Sequence, residues 1–253
     1  MTADSWTRAV RQQLGLGRVL PLGGPRDGAW ITESAAGSAL RRTAESLRGL
    51  SLGRLRISSV DSGGSEGEDA DDRGREAAVP PPPSALPPGP LRVTADLAAS
   101  VGPATEPLPA TAARLRAALF TAAGERLGLT VTEVDLRVTH LLEDDAGPSG
   151  PTAEPPPPVA APAAPAGDDE ESRVAAAALS VPGVARLTGA LGGLGRAVDI
   201  VAGPALPRRH VRVELAVTEE RRALDVAREV RAAVSDSLPD RPSVAVLITA
   251  IGT

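Results

Sequence analysis

The chain has 253 residues, a formal net charge of −5 and a hydrophobic share of 42%, which suit one large domain or two small ones with an apolar core. It contains no cysteine and no lysine, so disulfides, thiolate metal sites, lysine Schiff bases and a phosphate-loop lysine are excluded. The net acidity argues against the basic surface that bulk nucleic-acid binding requires.

The first predicted element is a short amphipathic segment within residues 1–28. Trp6, Val10 and Leu14 recur at every fourth position among arginines, which is a weak helical periodicity. The segment either docks on its own domain, which the sequence favours, or contacts a membrane or partner surface. The N-terminus is polar, unlike a secretory signal, and no apolar run is long enough to span a membrane. We therefore expect a cytoplasmic protein, with peripheral contact at the inner face of the cell membrane as the alternative.

A first module is predicted over residues 29–143. It begins with a very short strand at Trp30-Ile31 and a helix whose N-cap is Thr32, and this helix is expected to run to about residue 50. Residues 61–90 are acidic and then proline-rich, so they are predicted to be a disordered insertion. The rest of the module is expected to contain three strands and one helix, at 54–60, 91–97, 134–140 and 109–127.

A linker rich in proline and alanine is predicted over 144–169, and it leads to a second module over 170–253. Glu219 and Glu220 are assigned to the first turn of a helix, where the helix dipole favours carboxylates. The elements of the second module are a helix, a strand, an amphipathic helix and a last strand, at 172–180, 210–217, 219–238 and 244–251.

The two modules show the same order of elements, in which a helix precedes a strand, a second helix and a last strand. Leu91–Leu97 in the first module parallels Val211–Val217 in the second. We interpret this order as an internal duplication. It predicts an α+β fold of two small modules, each a mixed sheet with helices packed on one face.

Several motifs of the second module resemble the alkaline-shock, envelope-stress-response family of bacteria. They are the run Val181-Pro182-Gly183-Val184, the glycines of 189–195, the strand 211–217, the helix rich in Arg and Glu, and Val244–Ile248. In the first module, Trp30-Ile31-Thr32-Glu33 and the final strand-helix-strand are similar to the same family. With Leu14-Gly15-Leu16-Gly17-Arg18, they also resemble actinobacterial proteins that carry a nucleopolyhedrovirus label. The resemblance implies a small, non-enzymatic protein, in some members tied to the membrane by a partner protein.

Candidate catalytic chemistry is sparse. His140 and His210 are isolated from other ligand-type residues, so a structural role is favoured over metal binding or base catalysis. Arg208, Arg209 and Arg212 form the one compact basic cluster outside the helices, which would meet a phosphate or an acidic partner if it is not simply solvated. We assign no catalytic, cofactor-binding or metal-binding residue and expect no small-molecule substrate.

The expected function is protein–protein interaction or scaffolding linked to envelope or general stress, without enzymatic activity. The partner is expected to be a second copy of the chain or a membrane-anchored protein. Trp6, Val10, Leu14 and the arginine cluster are the candidate interaction residues. A single-strand RNA-binding module is the alternative; it would need a basic face and stacking aromatics, whereas aromatics make up only 1% of this chain. An enzyme is less favoured still.

Overall fold

The structure is a computed structural model that describes residues 15–60, 79–82, 84–102, 105–143, 169–190, 196–201 and 209–252. Within these residues, two mixed sheets and four α-helices confirm the predicted α+β class. The strands are β1 (Val19–Leu22), β2 (Ala29–Thr32), β3 (Leu50–Ser59), β4 (Leu91–Val101), β5 (Val131–Glu143), β6 (Val184–Leu187), β7 (Val198–Val201), β8 (His210–Val217) and β9 (Ser243–Ile251). The helices are α1 (Glu33–Glu45), α2 (Leu108–Thr121), α3 (Glu170–Leu179) and α4 (Ala223–Ser237), and a π-helical turn at Ala122–Leu127 continues α2.

The two halves of the chain share one strand topology. In the first half, β4 lies antiparallel to β3 and parallel to β5. In the second half, β8 lies antiparallel to both β6 and β7 and parallel to β9. A helix, α2 or α4, makes the crossover between the parallel strands, as a parallel pair requires.

The larger sheet combines strands from both halves. Its order is β1-β2-β9-β8-β6, with β7 also paired to β8, whereas the smaller sheet is β3-β4-β5. The predicted short strand β2 is parallel to β9, with Trp30 beside Leu247. The sequence analysis missed β1, because its glycine- and proline-rich surroundings suggest irregular structure. Pro21 fits there because β1 is at the end of the sheet, where one side of the strand has no ladder partner.

The helices bury their apolar faces in one continuous core. Helix α1 contacts β3 of the smaller sheet and β9 of the larger one, and its side of small residues, such as Ala36 and Ala39, allows this close approach. Fully buried side chains come from both halves and include Leu20, Leu40, Leu97, Leu119, Leu215 and Leu238. The two halves therefore share a core.

The outer face of the larger sheet is also covered. Val79 and Ala85 pack there against Val19, Trp30 and Leu247. Both belong to the stretch for which the composition predicted a disordered insertion, whose residues 61–78 lie outside the described residues. Their packing helps to bury β9 on both faces, whereas β4 alternates between buried and half-exposed residues.

Helix α1 ends earlier than predicted. It stops at Glu45, and β3 begins at Leu50 rather than at residue 54. Gly49 between them has a φ of +77°, the left-handed conformation that favours glycine and reverses the chain. Leu47 and Leu50 extend the apolar stripe of the sequence, but they pack on the core from the turn and the strand.

Helix α4 starts later than predicted, at Ala223, so Glu219 and Glu220 lie in the turn before it. Their assignment to the first helical turn is therefore wrong. Arg222 is extended at the N-cap position, and the Glu219 carboxylate instead forms an ion pair with Arg42 of α1 at 2.7 Å.

Candidate functional site

The predicted basic cluster is neutralised by carboxylates where the structure describes it. Arg209 forms ion pairs with Glu170 at the start of α3 and with Asp240, at 3.3 Å. Arg212 forms an ion pair with Asp199 of β7 at 3.0 Å. These pairs leave little excess positive charge for an anionic partner. Arg208 lies outside the described residues, as do Trp6, Val10 and Leu14.

The two histidines lie in different surroundings. His210 is buried, and its Nδ1 lies 3.0 Å from the Oγ of Ser243. Burial lowers the pKa of His210, Arg212 lowers it further, and Asp199 acts in the opposite direction. His140 is exposed on β5. Within the described residues, no group of three or more His, Cys, Asp or Glu could hold a metal ion.

A shallow cleft of about 20 Å³ lies between α1, the π-helical turn and the residues before α4, which is room for about one water molecule. Arg42, Arg126, Glu219 and Arg221 line it. Arg42 is paired with Glu219, and Arg221 is paired with Glu229. The cleft is too small for a ligand, and its one lining carboxylate, that of Glu219, already forms an ion pair. It is therefore not the candidate functional site.

Three of the four sheet edges are occupied or interrupted. Beside β1, the Leu86 amide donates to the Val19 carbonyl at 2.8 Å. At the opposite edge of that sheet, two strands of four residues each, β6 and β7, divide the length of β8. On the smaller sheet, the Ile57 amide of β3 donates to the Glu33 carboxylate at 2.9 Å. Covered and interrupted edges do not accept another strand readily.

The fourth edge, that of β5, is open. β5 is 13 residues long and contains neither proline nor glycine, and in the described chain it pairs with β4 alone. The backbone carbonyl of Val134 accepts a bond from Arg116 Nε of α2 at 3.0 Å, so this carbonyl does not face β4. The register of β5 with β4 shifts near Thr132 and Thr139, but it is regular from residue 133 to 138. Apart from the Arg116 bond, no neighbouring strand or bulge protects this stretch in the described chain, and such an edge is a template for another strand.

Exposed apolar side chains accompany this edge. Val138 is 40% exposed and Leu141 is 59% exposed. Their register partners are Leu97 and Ala99, which belong to the buried face of β4, so both side chains lie on the helix side of the sheet. Phe120, 49% exposed on α2, lies one helical turn after Arg116, which places it toward the same edge. We call the outward edge of β5 with Val138 and Leu141 the β5 edge.

On the opposite face of the smaller sheet, every second residue of β5 from Glu133 to Arg137 is charged, and both signs occur. Glu133, Asp135 and Arg137 lie beside Arg92, Thr94 and Asp96 of β4. Arg92 Nε donates to the Glu133 carboxylate at 2.6 Å and lies 3.5 Å from that of Asp135. Arg137 is exposed, and no carboxylate in the described part of the chain forms an ion pair with it.

The sequence predicted the central part of β5 but not its position at the edge of the smaller sheet. Alternation identified the strand from residue 134 to 140, and the structure extends it from Val131 to Glu143. The sequence did contain a signal for a longer strand, because the apolar residues Leu141 and Leu142 directly follow the predicted one. Which strand lies at an edge depends on the sheet order, and one sequence does not reveal that order.

Comparison with known proteins gives no relative. No protein-family model matches the chain, and no curated protein or solved structure is similar to it. Among the described residues, none of the helices is long and apolar enough to cross a membrane.

Proposed function

We propose that this chain is a non-enzymatic interaction or scaffold protein, and that it contacts other protein chains through the β5 edge. The observation that carries the proposal is that one edge of β5 has no strand partner in the described chain and also carries exposed apolar side chains, Val138 and Leu141. In strand addition, main-chain hydrogen bonds supply affinity and alternate side chains supply specificity. The β5 edge offers both.

The surroundings of the remaining candidates support an interaction role over the alternatives. Arg209 and Arg212 of the basic cluster are paired with acidic residues, and His210 is buried against Ser243. The open face of the smaller sheet mixes both signs of charge, with Arg92, Asp96 and Glu133 side by side. Single-strand RNA readers instead present a basic face with stacking aromatics.

We further propose that the protein acts in the cytoplasm in the response to envelope or general stress, held at the membrane by an anchored partner. This part rests on the resemblance of Val181-Pro182-Gly183-Val184 and the following elements to the alkaline-shock family. The segment with Trp6, Val10 and Leu14 is the candidate for an additional surface contact.

A pull-down from cells, with and without stress, tests the proposed function. The tagged full-length chain is compared with Val138→Lys, which places a charge on the helix side of an open edge and so blocks strand pairing. Leu179→Lys is the matched control, because Leu179 is similarly exposed, at 47%, but belongs to α3. A chain without residues 1–14 tests the N-terminal segment and keeps β1, which begins at Val19.

We expect the wild-type chain and Leu179→Lys to recover a membrane-anchored partner, and Val138→Lys to lose it. Identical recovery by all variants would contradict the role of the β5 edge. A chain that recovers nothing in stress or in normal growth would contradict the proposed function as a whole.

A further inference from the structure

We infer that the β5 edge pairs with the β5 edge of a second copy of this chain, antiparallel and centred on Leu136. The inference rests on the proposed function and makes a second copy the occupant of the β5 edge. Loss of the anchored partner in Val138→Lys would then follow from loss of the paired form. The pairing would join two three-stranded sheets into one continuous sheet, with α2 of both copies on the same face.

The direction of the backbone groups allows this pairing. The Leu91 amide donates to the Thr130 carbonyl at 2.8 Å, and on the other side of β4 the Ser100 amide donates to the Gly49 carbonyl at 2.9 Å. The odd-numbered residues of β4 therefore face β5. In a parallel ladder, a residue facing its neighbour bonds to the two residues that flank its partner.

The consequence for β5 follows from its register. Val93, Ala95 and Leu97 are the partners of Val134, Leu136 and Val138. The backbone groups of those three β5 residues consequently point away from β4, toward the open edge, as the bond from Arg116 to the Val134 carbonyl also shows. When Leu136 lies opposite Leu136 of the second copy, Val134 lies opposite Val138. The Leu136 pair can exchange both N–H···O bonds, and the Val134–Val138 pairs can do so once Arg116 releases the Val134 carbonyl.

The charges of β5 select this register. With Leu136 at the centre, Asp135 lies opposite Arg137 of the second copy, and Arg137 lies opposite the second copy's Asp135. A shift of the centre by one residue places Asp135 opposite Asp135, or Arg137 opposite Arg137. Opposite charges directly across an antiparallel pair are stabilising and like charges are destabilising. Arg137, which has no ion pair within the described chain, would gain one.

The apolar side chains support the same arrangement. Val134, Leu136 and Val138 lie on the helix side of β5, so the centred register opposes apolar side chains only on that side. The exposed Phe120 and the Arg116 that reaches the edge lie on the side of α2 nearest to the second copy. A strand of unrelated sequence has no reason to match both the charge order and the apolar order of β5, whereas a second copy matches both.

A charge exchange tests the register in the full-length chain. Asp135→Arg opposes arginine to arginine across the pair, and Arg137→Asp opposes aspartate to aspartate, so each variant alone should have the mass of one chain. An equimolar mixture of the two variants opposes arginine to aspartate at both places and should regain twice that mass. Asp135→Arg/Arg137→Asp in one chain should do the same. The measurement is molar mass by light scattering during size exclusion, with circular dichroism as the check that each variant is folded.

A cross-link supplies a second measurement that does not depend on charge. The chain has no cysteine, so Leu136→Cys introduces a single thiol. Opposed residues of an antiparallel pair lie about 4.5–5.5 Å apart at Cα, within the range a disulfide spans. Mild oxidation should therefore link Leu136→Cys into dimers. Thr132→Cys is the control, because it is more exposed yet lies away from its own counterpart in this register.

The outcomes separate the two proposals. A wild-type chain that stays monomeric at high concentration, or a mixture of charge variants that stays monomeric while wild type is dimeric, overturns the inferred pairing. Equal cross-linking of the two cysteine variants also overturns it. If wild type is monomeric but Val138→Lys still loses its cellular partner, the self-pairing fails and the proposed function stands. If the charge mixture restores the dimer while the pull-down recovers no other protein, the pairing stands and the scaffold function fails.

Discussion

Gly128 lies directly against Leu224, although the two residues belong to opposite halves of the chain. A Cβ placed on Gly128 would lie 2.5 Å from the Cβ of Leu224, and Gly128 has a φ of +93°. The Gly128 carbonyl also accepts a bond from the Gly23 amide at 3.0 Å. The end of the π-helical turn, the β1–β2 turn and α4 therefore meet at a point that has no room for a side chain.

Gly128→Ala should lower the free energy of unfolding by about 2–4 kcal/mol, because the left-handed backbone and the overlap with Leu224 both carry a cost. Urea unfolding measures the change. Gly49→Ala is the matched control, since Gly49 has a φ of +77° but no atom within 4 Å of its Cβ position. Gly49→Ala should lower the free energy of unfolding by only about 1–2 kcal/mol. Equal losses in the two variants would show that the overlap with Leu224 carries no cost.

Arg231 fastens the β1–β2 turn to the second half of the chain. Its half-buried guanidinium donates to the carbonyls of Val244, at 2.9 Å, and Arg26, at 3.1 Å, and also to that of Asp27. Burial lowers the pKa of Arg231, against the attraction of Asp27. Arg231→Met should cost about 2–3 kcal/mol of unfolding free energy, because it removes charged donors from buried carbonyls.

Arg228→Met supplies the comparison on the same helix. Arg228 is 48% exposed at its side chain and pairs with Asp27 at 2.8 Å. Exposed pairs of this kind contribute about 0–1 kcal/mol, so its loss should be smaller. If thermal and urea unfolding gave Arg228→Met the larger effect, the buried bonds of Arg231 would not be what fastens the turn.

His210 should make the fold sensitive to mild acid. Because its pKa is lowered in the folded state, the unfolded state, with a histidine pKa of about 6.5, takes up the proton first as the pH falls. The stability that neutral His210 contributes is therefore fully present above the histidine pKa of the unfolded state. It is lost as the pH falls toward the pKa of the folded state. The urea concentration at the unfolding midpoint of the wild type should decrease as the pH is lowered from 7.5 to 5.5.

His210→Asn should flatten that pH dependence, since an asparagine amide can hydrogen-bond to Ser243 and does not titrate. His140→Asn, at the exposed histidine of β5, should leave it unchanged. The lowered pKa of Asp27 acts in a separate window, because a carboxylate loses its contribution only as the pH falls below about 4. An unaltered slope in His210→Asn would refute the assignment.

The second half of the chain should not fold alone. Residues 170–253 expressed without the first half lose β2 from the side of β9, where Trp30 pairs with Leu247. We expect a partly unfolded or aggregated fragment by circular dichroism. Co-expression with residues 1–143 should restore a complex that purifies as one species.

Co-expression with residues 33–143 is the control for this prediction, because that fragment retains α1 and the smaller sheet but lacks β1 and β2. It should restore folding poorly. A well-folded, monomeric 170–253 fragment would show that the strands from the first half are dispensable.

The sequence predicted those elements whose signals are local. His210–Val217 was assigned within its observed bounds, because alternation and β-branched residues mark a strand without reference to its neighbours. Thr32 was assigned as an N-cap, and its Oγ1 accepts from the Ala35 amide at 3.3 Å. The helix predicted at 109–127 ends where expected, since Gly128 has the positive φ of a helix C-terminus.

The elements that were missed depend on contacts distant in the chain. β1 is short and contains a proline, and β6 and β7 have only four residues each, so each is a strand only because a longer strand lies beside it. The proposed interaction edge was missed for the same reason. Arg209 and Arg212 were chosen for their local density of charge, but Glu170 and Asp199, remote in sequence, neutralise them.

The position of β9 between β2 and β8 has a consequence for how the chain reaches this fold. Thr32 Oγ1 donates to the Thr249 carbonyl at 3.4 Å across 217 residues of sequence. On a ribosome, β2 emerges long before β9, and the side of β2 opposite β1 must stay unpaired until β9 has been made. Pairings this distant in sequence slow folding and leave strand edges open to aggregation meanwhile. Synthesis itself is therefore the stage at which this chain most needs protection by chaperones.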